Sequence, residues 1–430
     1  DASLFFSQAI RQFCTPDGND GFDTGRAYAI LEALRKHLQL VVIELEEGDD
    51  PQVIFETLNA RGIALLPSDL VRNYVFLQAG RNDENADDLY TGLWRDYDDR
   101  PAEAGHPDGT RFWKVEERQG RLKRTRLDLF LYHYVLSRSE APFSLNHLYE
   151  AFREWWETDR SRRVEDELAE LRRHSDLFAQ LIIPPGDSRL DRFAERLKTL
   201  DTAMLYPVLL YLLGTPGRMK EGDLVGIVED LESYVVRRMV CNLPTNNYNK
   251  FFLGLVRRLK QHEVVNRTHV QSFLLDGRGP AAEWPSDAAF ERAWLNNPAY
   301  ELLKRGRAAM VLEALEEAMR SNKTEGIQYK DPLTVEHVLP QQWQEQDYPL
   351  PAPAHGEDED AVRSRRETLL HSFGNLTLLT QPLNSSVSNG PFLSKRDQIA
   401  EHSLLKMNTA FRGLSEWGEA DIRARGSELL

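Results

Sequence analysis

Between residues 121 and 320 the apolar positions recur at helical spacing almost without interruption. That spacing predicts helices over 127–136, 145–156, 164–183, 192–200, 203–213, 224–240, 249–261 and 307–319. Breaks fall at Pro184, Pro185 and Gly186, at Pro216 and Gly217, and between Gly277 and Pro280. No fixed repeat period joins these segments, so an irregular helical bundle is expected rather than a solenoid. Upstream, helical spacing over 4–13 and 24–38 leads into a short β-branched run, 38–45, that reads as a buried strand. A further helix is expected to start at Pro67 or Ser68. Residues 81–110 are acidic and rich in turn formers, which marks a border or an insertion. After Gln328 the pattern shortens. Strands are predicted over 333–338 and 376–379, with a polar stretch (341–366) and a short apolar helix near Leu369 between them; helical spacing returns over 393–405. The chain is therefore expected to be mainly α, with segments 1–110, 111–300 and 301–430 as its domains.

Composition narrows the class. The 430 residues are 41% hydrophobic and 28% charged, an ordinary globular balance with ample length for buried cores. No apolar run is long enough to span a membrane, and the start shows no signal-peptide pattern. Two distant cysteines, Cys14 and Cys241, exclude a disulfide framework and a zinc knuckle and fit a reducing cytoplasm. The net charge of −15 runs against nucleic-acid binding, but basic residues cluster apart from acidic ones, over 111–126 and 160–163, at Arg237 with Arg238, and at Arg257 with Lys260. That segregation leaves room for local contact with DNA.

The candidate chemistry lies between Asp331 and Arg396. Phosphodiester hydrolysis needs an activated water, charge stabilisation at phosphorus and support for the leaving oxygen. One histidine with one Mg2+- or Mn2+-like ion can provide all three. His337, at the end of the first expected strand, is the candidate general base; Asn375, at the start of the second, is placed to hold the imidazole tautomer. Asn384, from the following helix, and Glu336 are the candidate metal ligands. Neighbours on a strand point to opposite faces, so joint use of Glu336 and His337 predicts a turn or bulge there, and Pro340 fits an abrupt strand end.

Three pieces of this stretch carry a resemblance: Glu336-His337-Val338-Leu339-Pro340 with Trp343, then Gly374-Asn375 with Leu376 to Leu379, then Leu383-Asn384 with Asn389, Phe392 and Lys395. In order and density they resemble the HNH nuclease domain of GmrSD-type (SspE-like) restriction endonucleases. The resemblance implies a C-terminal ββα-metal fold in which His337 is the base and Asn375 and Asn384 complete the catalytic set, with Asn389 as an alternative third member. It further implies that Lys395 contacts phosphate; a solvated helix lysine is the plainer alternative. Phe55, Asn59, Arg61 and Gly62, followed by Ser68, Asp69 and Leu70, resemble the closing part of the family's companion domain, a ParB/sulfiredoxin-like α+β fold tied to nucleoside triphosphate hydrolysis. Asn59 and Arg61 are then nucleotide-binding candidates, against the alternative of a helix C-cap around Gly62. Arg237 and Arg238, with Pro244, Thr245, Asn249 and Trp284, match the family's helical region, where the two arginines either hold DNA or make salt bridges between domains.

The expected protein is a metal-dependent DNA endonuclease of phage defence. It would act on modified DNA, whether sugar-decorated cytosine or phosphorothioate, in the cytoplasm and without a membrane. Homo-oligomerisation stays open. The family's Gly-Gln-Gln-Arg-type opening is not found upstream of Phe55 and the chain starts at Asp1, so the front of the companion domain is expected to lie outside this sequence. The rival expectations are an NTPase-gated sensor in which nicking is secondary, and a non-catalytic helical DNA-binding scaffold.

Overall fold

The computed structural model describes residues 2–15, 21–39, 66–120, 122–139, 141–159, 161–321, 323, 329–353, 355–356 and 358–430. The chain falls into two compact units, residues 1–65 and 66–430. In the first, α1 (Ala2–Cys14) precedes α2 (Thr24–His37), which Asp23 caps by accepting from the Gly25 and Arg26 amides. The expected strand over 38–45 lies, from residue 40 on, outside the described residues, and so do Phe55, Asn59, Arg61 and Gly62.

The second unit is mainly helical. Its longer helices in the amino-terminal part are α3 (Pro67–Arg81), α4 (Arg126–Arg138), α5 (Leu148–Glu157), α6 (Val164–Ile182), α7 (Arg189–Leu200), α8 (Leu205–Leu213) and α9 (Leu224–Val240). They continue through α10 (Tyr248–Leu259), α11 (Arg267–Asp276), α12 (Asp287–Asn296) and α13 (Lys304–Met319). Sequence sets the centre: α4 buries every residue from Arg126 to Ser137, and α8, almost wholly apolar, packs against it. Each leucine or phenylalanine buried there contributes roughly 1.5–3 kcal/mol. Start signals work as the residue types dictate; Ser188 and Asp191 cap α7 reciprocally, and Pro67 opens α3.

One element departs from the expected helical run. Residues Glu116–Gln119 (β1) and Leu122–Thr125 (β2) pair antiparallel, with Gly120 in the turn at φ 63°. Glu-Glu-Arg-Gln and Leu-Lys-Arg-Thr carry no apolar alternation, so nothing in the pattern announces strands. Within the basic clusters, several arginines are paired with nearby carboxylates. Arg126 is buried between Glu103 and Glu117, Arg162 pairs with Glu167, and Arg163 with Glu165.

The carboxy-terminal part turns on a second hairpin, β3 (Leu333–His337) with β4 (Leu376–Thr380), antiparallel with His337 opposite Leu376. Helix α14 (Glu359–Leu370) lies between the strands in sequence, started by Asp358. Helices α15 (Gln381–Val387), α16 (Phe392–His402) and α17 (Glu419–Leu429) follow. Strand alternation divides the hairpin between two cores. Leu376 and Leu378 join the large helical core, with α13 packed on the hairpin, while Leu379 joins Val338, Leu339, Phe392, Ile399 and Trp417 in a smaller one. Gly374 is obligatory here: a Cβ would lie 2.0 Å from the Ile422 carbonyl oxygen of α17. Arg425 of the same helix donates to the Gly374 and Leu376 carbonyls at 2.8 and 2.7 Å, so α17 grips the start of β4.

Candidate active site

Where β3 ends and α15 begins, the chain leaves a polar cleft of about 310 Å³, lined by Glu336, His337, Gln341, Asn384, Ser388 and Asn389 among others. Ser388, just past α15, sits at φ 40°, a left-handed conformation that a non-glycine residue holds only when its surroundings impose it.

His337 is 5% exposed. Its Nε2 lies 3.2 Å from Nδ1 of His371, and its Nδ1 lies 3.2 Å from the side-chain nitrogen of Gln341. Nε2 of His371 in turn faces the Glu301 carboxylate at 3.4 Å. The Tyr300 ring meets His337 edge-on at 4.4 Å and stacks on His371 at 6.0 Å. His371, Gln341, Glu301 and Tyr300 did not stand out in the sequence. Each is an ordinary polar or aromatic residue, and except for Gln341, four residues from His337, its partner lies far along the chain.

Asn375 does not hold the imidazole. Its side chain is fully buried and makes the four hydrogen bonds an amide can offer: it donates to the Leu339 and Leu370 carbonyls at 2.9 and 2.8 Å, and accepts from the Leu339 amide and Trp417 Nε1 at 2.8 and 2.9 Å. The expected orienting partner is thus a clamp on the loop after His337, and imidazole contacts come from His371 and Gln341 instead.

Lys395 also departs from expectation. It is fully buried, donates to the His337 carbonyl at 2.8 Å and forms an ion pair with Glu336. A lysine so enclosed cannot be a phosphate contact or a solvated helix residue. Burial pushes the Glu336 carboxyl above its ordinary value and the Lys395 ammonium below its own, and their mutual attraction works against both shifts. No bulge separates Glu336 from His337, since the ladder is regular through both. They share the cleft because β3 stops at His337. Asn384 turns its amide nitrogen to Thr334 Oγ1 at 2.8 Å and the Val335 carbonyl at 3.3 Å, which leaves its oxygen as the donor atom available to a cation. Asn389, the alternative third member, reaches Gln342 at 3.3 Å from the cleft wall.

The paired arginines are structural. Arg238, fully buried, donates to the Pro244, Pro280 and Glu283 carbonyls and to the Tyr248 hydroxyl. Arg237 pairs with Asp287 at 2.7 Å and donates to the Pro285 carbonyl. The DNA contacts expected of them give way to ties between α9 and the segment that leads into α12.

Residues 284–430 match the family model of the GmrSD restriction endonuclease C-terminal domain. This part of the chain is a GmrSD-type domain. The family is one of restriction endonucleases, so the segment belongs to a nuclease of phage defence whose substrate is DNA. No curated protein matches the chain. The GmrSD-type segment takes in the cleft, both strands of its hairpin and Asp287, the partner of Arg237. Among the described residues no helix is long and apolar enough to cross a membrane.

Proposed function

We propose that the GmrSD-type domain is an HNH-type, metal-dependent DNA endonuclease whose general base is His337. The observation that carries this reading is the placement of a buried, doubly held imidazole at the mouth of a polar cleft, with the Asn384 amide from the next helix on the same wall. A base in that position takes a proton from water at Nδ1 once the exposed Gln341 side chain gives way to it. The amide oxygen of Asn384 and the carboxylate of Glu336 are hard donors that suit Mg2+ or Mn2+, with water and phosphate filling the remaining positions. Lys395 offsets the charge of Glu336, so this donor set would leave most of a cation's charge for the DNA. When bound, such an ion would neutralise the scissile phosphate and support the departing oxygen.

The resemblance around Asn59 and Arg61 extends the proposal. Residues 1–110 would belong to a nucleotide-dependent sensing domain and 111–300 to a helical linker, so that the DNA cut is modified DNA. The test is plasmid nicking by the purified chain with Mg2+ or Mn2+, beside His337→Ala and a chelator control. Unmodified, phosphorothioate and glucosylated plasmids are compared, with and without nucleotide. Cleavage that requires both metal and His337 is expected; cleavage by His337→Ala at the wild-type rate removes the base assignment.

A further inference from the structure

We infer that Glu301 and His371 form a relay that fixes the proton on His337, which makes His371 a positioning residue for the base. The inference rests on the reading of His337 as that base, and it follows from two hydrogen bonds and one ion-pair contact. Starting from the outer end, an ionised carboxylate can only accept. The negative charge of Glu301, 3.4 Å from His371 Nε2, favours the His371 proton on Nε2 and leaves His371 Nδ1 as an acceptor. That acceptor lies 3.2 Å from His337 Nε2, which must then carry the His337 proton, so the lone pair is on Nδ1. The inner end gives the same answer independently. The side-chain nitrogen of Gln341 can only donate, and it sits 3.2 Å from Nδ1. Both ends of the chain of groups select one tautomer, the one that aims a lone pair at the residue lining the cleft.

The backbone holds the relay in register. The Tyr300 amide donates to the His371 carbonyl at 3.0 Å, so the segment bearing Glu301 is tied to the residue it faces. Tyr300 covers both imidazoles, edge-on to one and stacked on the other, which restricts their rotation. When His337 takes a proton at Nδ1, its Nε2–H remains bonded to His371, and the new positive charge is felt through His371 by the Glu301 carboxylate. No oxidant or further reactant is needed.

Magnitudes separate the two relay members. His371 is largely enclosed, whereas the Glu301 side chain is 59% exposed and its contact is long. Loss of a partner that orients a functional imidazole lowers activity about 10- to 100-fold, whereas an exposed charge contributes up to about 5-fold. Three variants of the full chain test this: His371→Phe, which keeps the aromatic stack and loses the acceptor; His371→Asn, which returns an acceptor near Nδ1; and Glu301→Gln. The first readout is the tautomer of His337 by nitrogen NMR of histidine-labelled protein, its signals assigned against His337→Ala. The wild type is expected to carry the proton on Nε2, His371→Phe to mix tautomers, and His371→Asn to restore one. The second is single-turnover nicking at saturating DNA, in which His371→Phe falls about 10- to 100-fold at unchanged DNA affinity and His371→Asn recovers most of the rate. A wild-type proton on Nδ1 overturns the relay, and so does full activity of His371→Phe where His337→Ala is dead. Activity of His337→Ala would instead remove the base assignment, with the tautomer readout still standing on its own. If His371→Phe fails to fold, the decision passes to His371→Asn, for which a disordered tautomer overturns the proposal, while Glu301→Gln is expected to lower the rate by no more than about 5-fold.

Discussion

Replacing Asn375 with alanine removes four buried hydrogen bonds in one step, and the structure allows the loss to be worked out. The partners left behind are the amide and carbonyl of Leu339, the carbonyl of Leu370 and the indole N–H of Trp417, all inside the smaller core. At roughly 1 kcal/mol net for each bond the deficit is about 4 kcal/mol, and partners that water cannot reach raise it further. A domain typically has about 5–15 kcal/mol of stability in all, so the variant should be near the limit of folding at 37 °C. Asn375→Asp is expected to be little better. It keeps the two acceptor contacts but turns an oxygen toward the Leu339 and Leu370 carbonyls, where the amide had donated. Urea unfolding followed by circular dichroism is the assay, with the midpoint shift read at constant slope. A loss of less than about 1 kcal/mol would refute the clamp, because it falls below the value of the four bonds. So would a fully stable Asn375→Ala protein that cannot nick DNA, since Asn375 would then act on the chemistry.

Other expectations follow from the same geometry. Lys395→Met should destabilise the chain by about 3–5 kcal/mol by stranding the Glu336 carboxylate, and Glu336→Gln combined with Lys395→Met should recover most of it in thermal melts. Because Lys395 is fully buried, the salt dependence of DNA binding should not change in Lys395→Met; a shallower slope would restore it as a phosphate contact. Arg238→Ala should lower the melting temperature and leave that slope untouched, which a filter-binding titration against salt would check. Acid should unfold the helical bundle through its histidines. Burial holds His133 down at about 3 and His174 at about 4, against about 6.5 when unfolded. Depressed folded values mean that this stability is complete above pH 6.5 and drains as pH falls toward them. At pH 5 the two together should withdraw about 4 kcal/mol. Melts across pH 7 to 5 should therefore show a flatter acid limb for His133→Met than for the wild type, and parallel limbs would contradict it.

Much of the helical architecture could be read from spacing because apolar stripes and caps are local signals. Val164–Ile182 and Leu224–Val240 emerge nearly where the pattern puts them. The strands of the second hairpin were legible for the same reason, and Glu116–Gln119 was not, since a strand without an apolar face leaves no periodic trace. The site divides along a similar line. His337 and Asn384 could be picked out by residue type and order, and they do line one cleft. The direction in which a side chain points is not local. Asn375 turns to Leu339 and Trp417, 36 and 42 residues away, and Lys395 to Glu336, 59 away. The partner of His337 is a histidine 34 residues on, just past the short helix expected near Leu369, where nothing marks it as a partner. Arg238 reads as a cation for DNA until the three carbonyls around it are seen.

The grip of α17 on the second strand has a consequence for how such a protein is made. The hairpin that carries His337 is backed by Trp417 on the Asn375 amide, by the Ile422 carbonyl against Gly374 and by Arg425 on two carbonyls at the head of β4. On a translating ribosome every catalytic candidate emerges well before those residues do. A nascent chain therefore holds the chemistry without the brace that shapes it, and a product cut short before Trp417 keeps that immature state for good. Truncation after residue 416 should thus leave a chain that lacks nicking activity and the cooperative melt of this region. A domain that cuts DNA would in this way be disarmed until synthesis has passed α17.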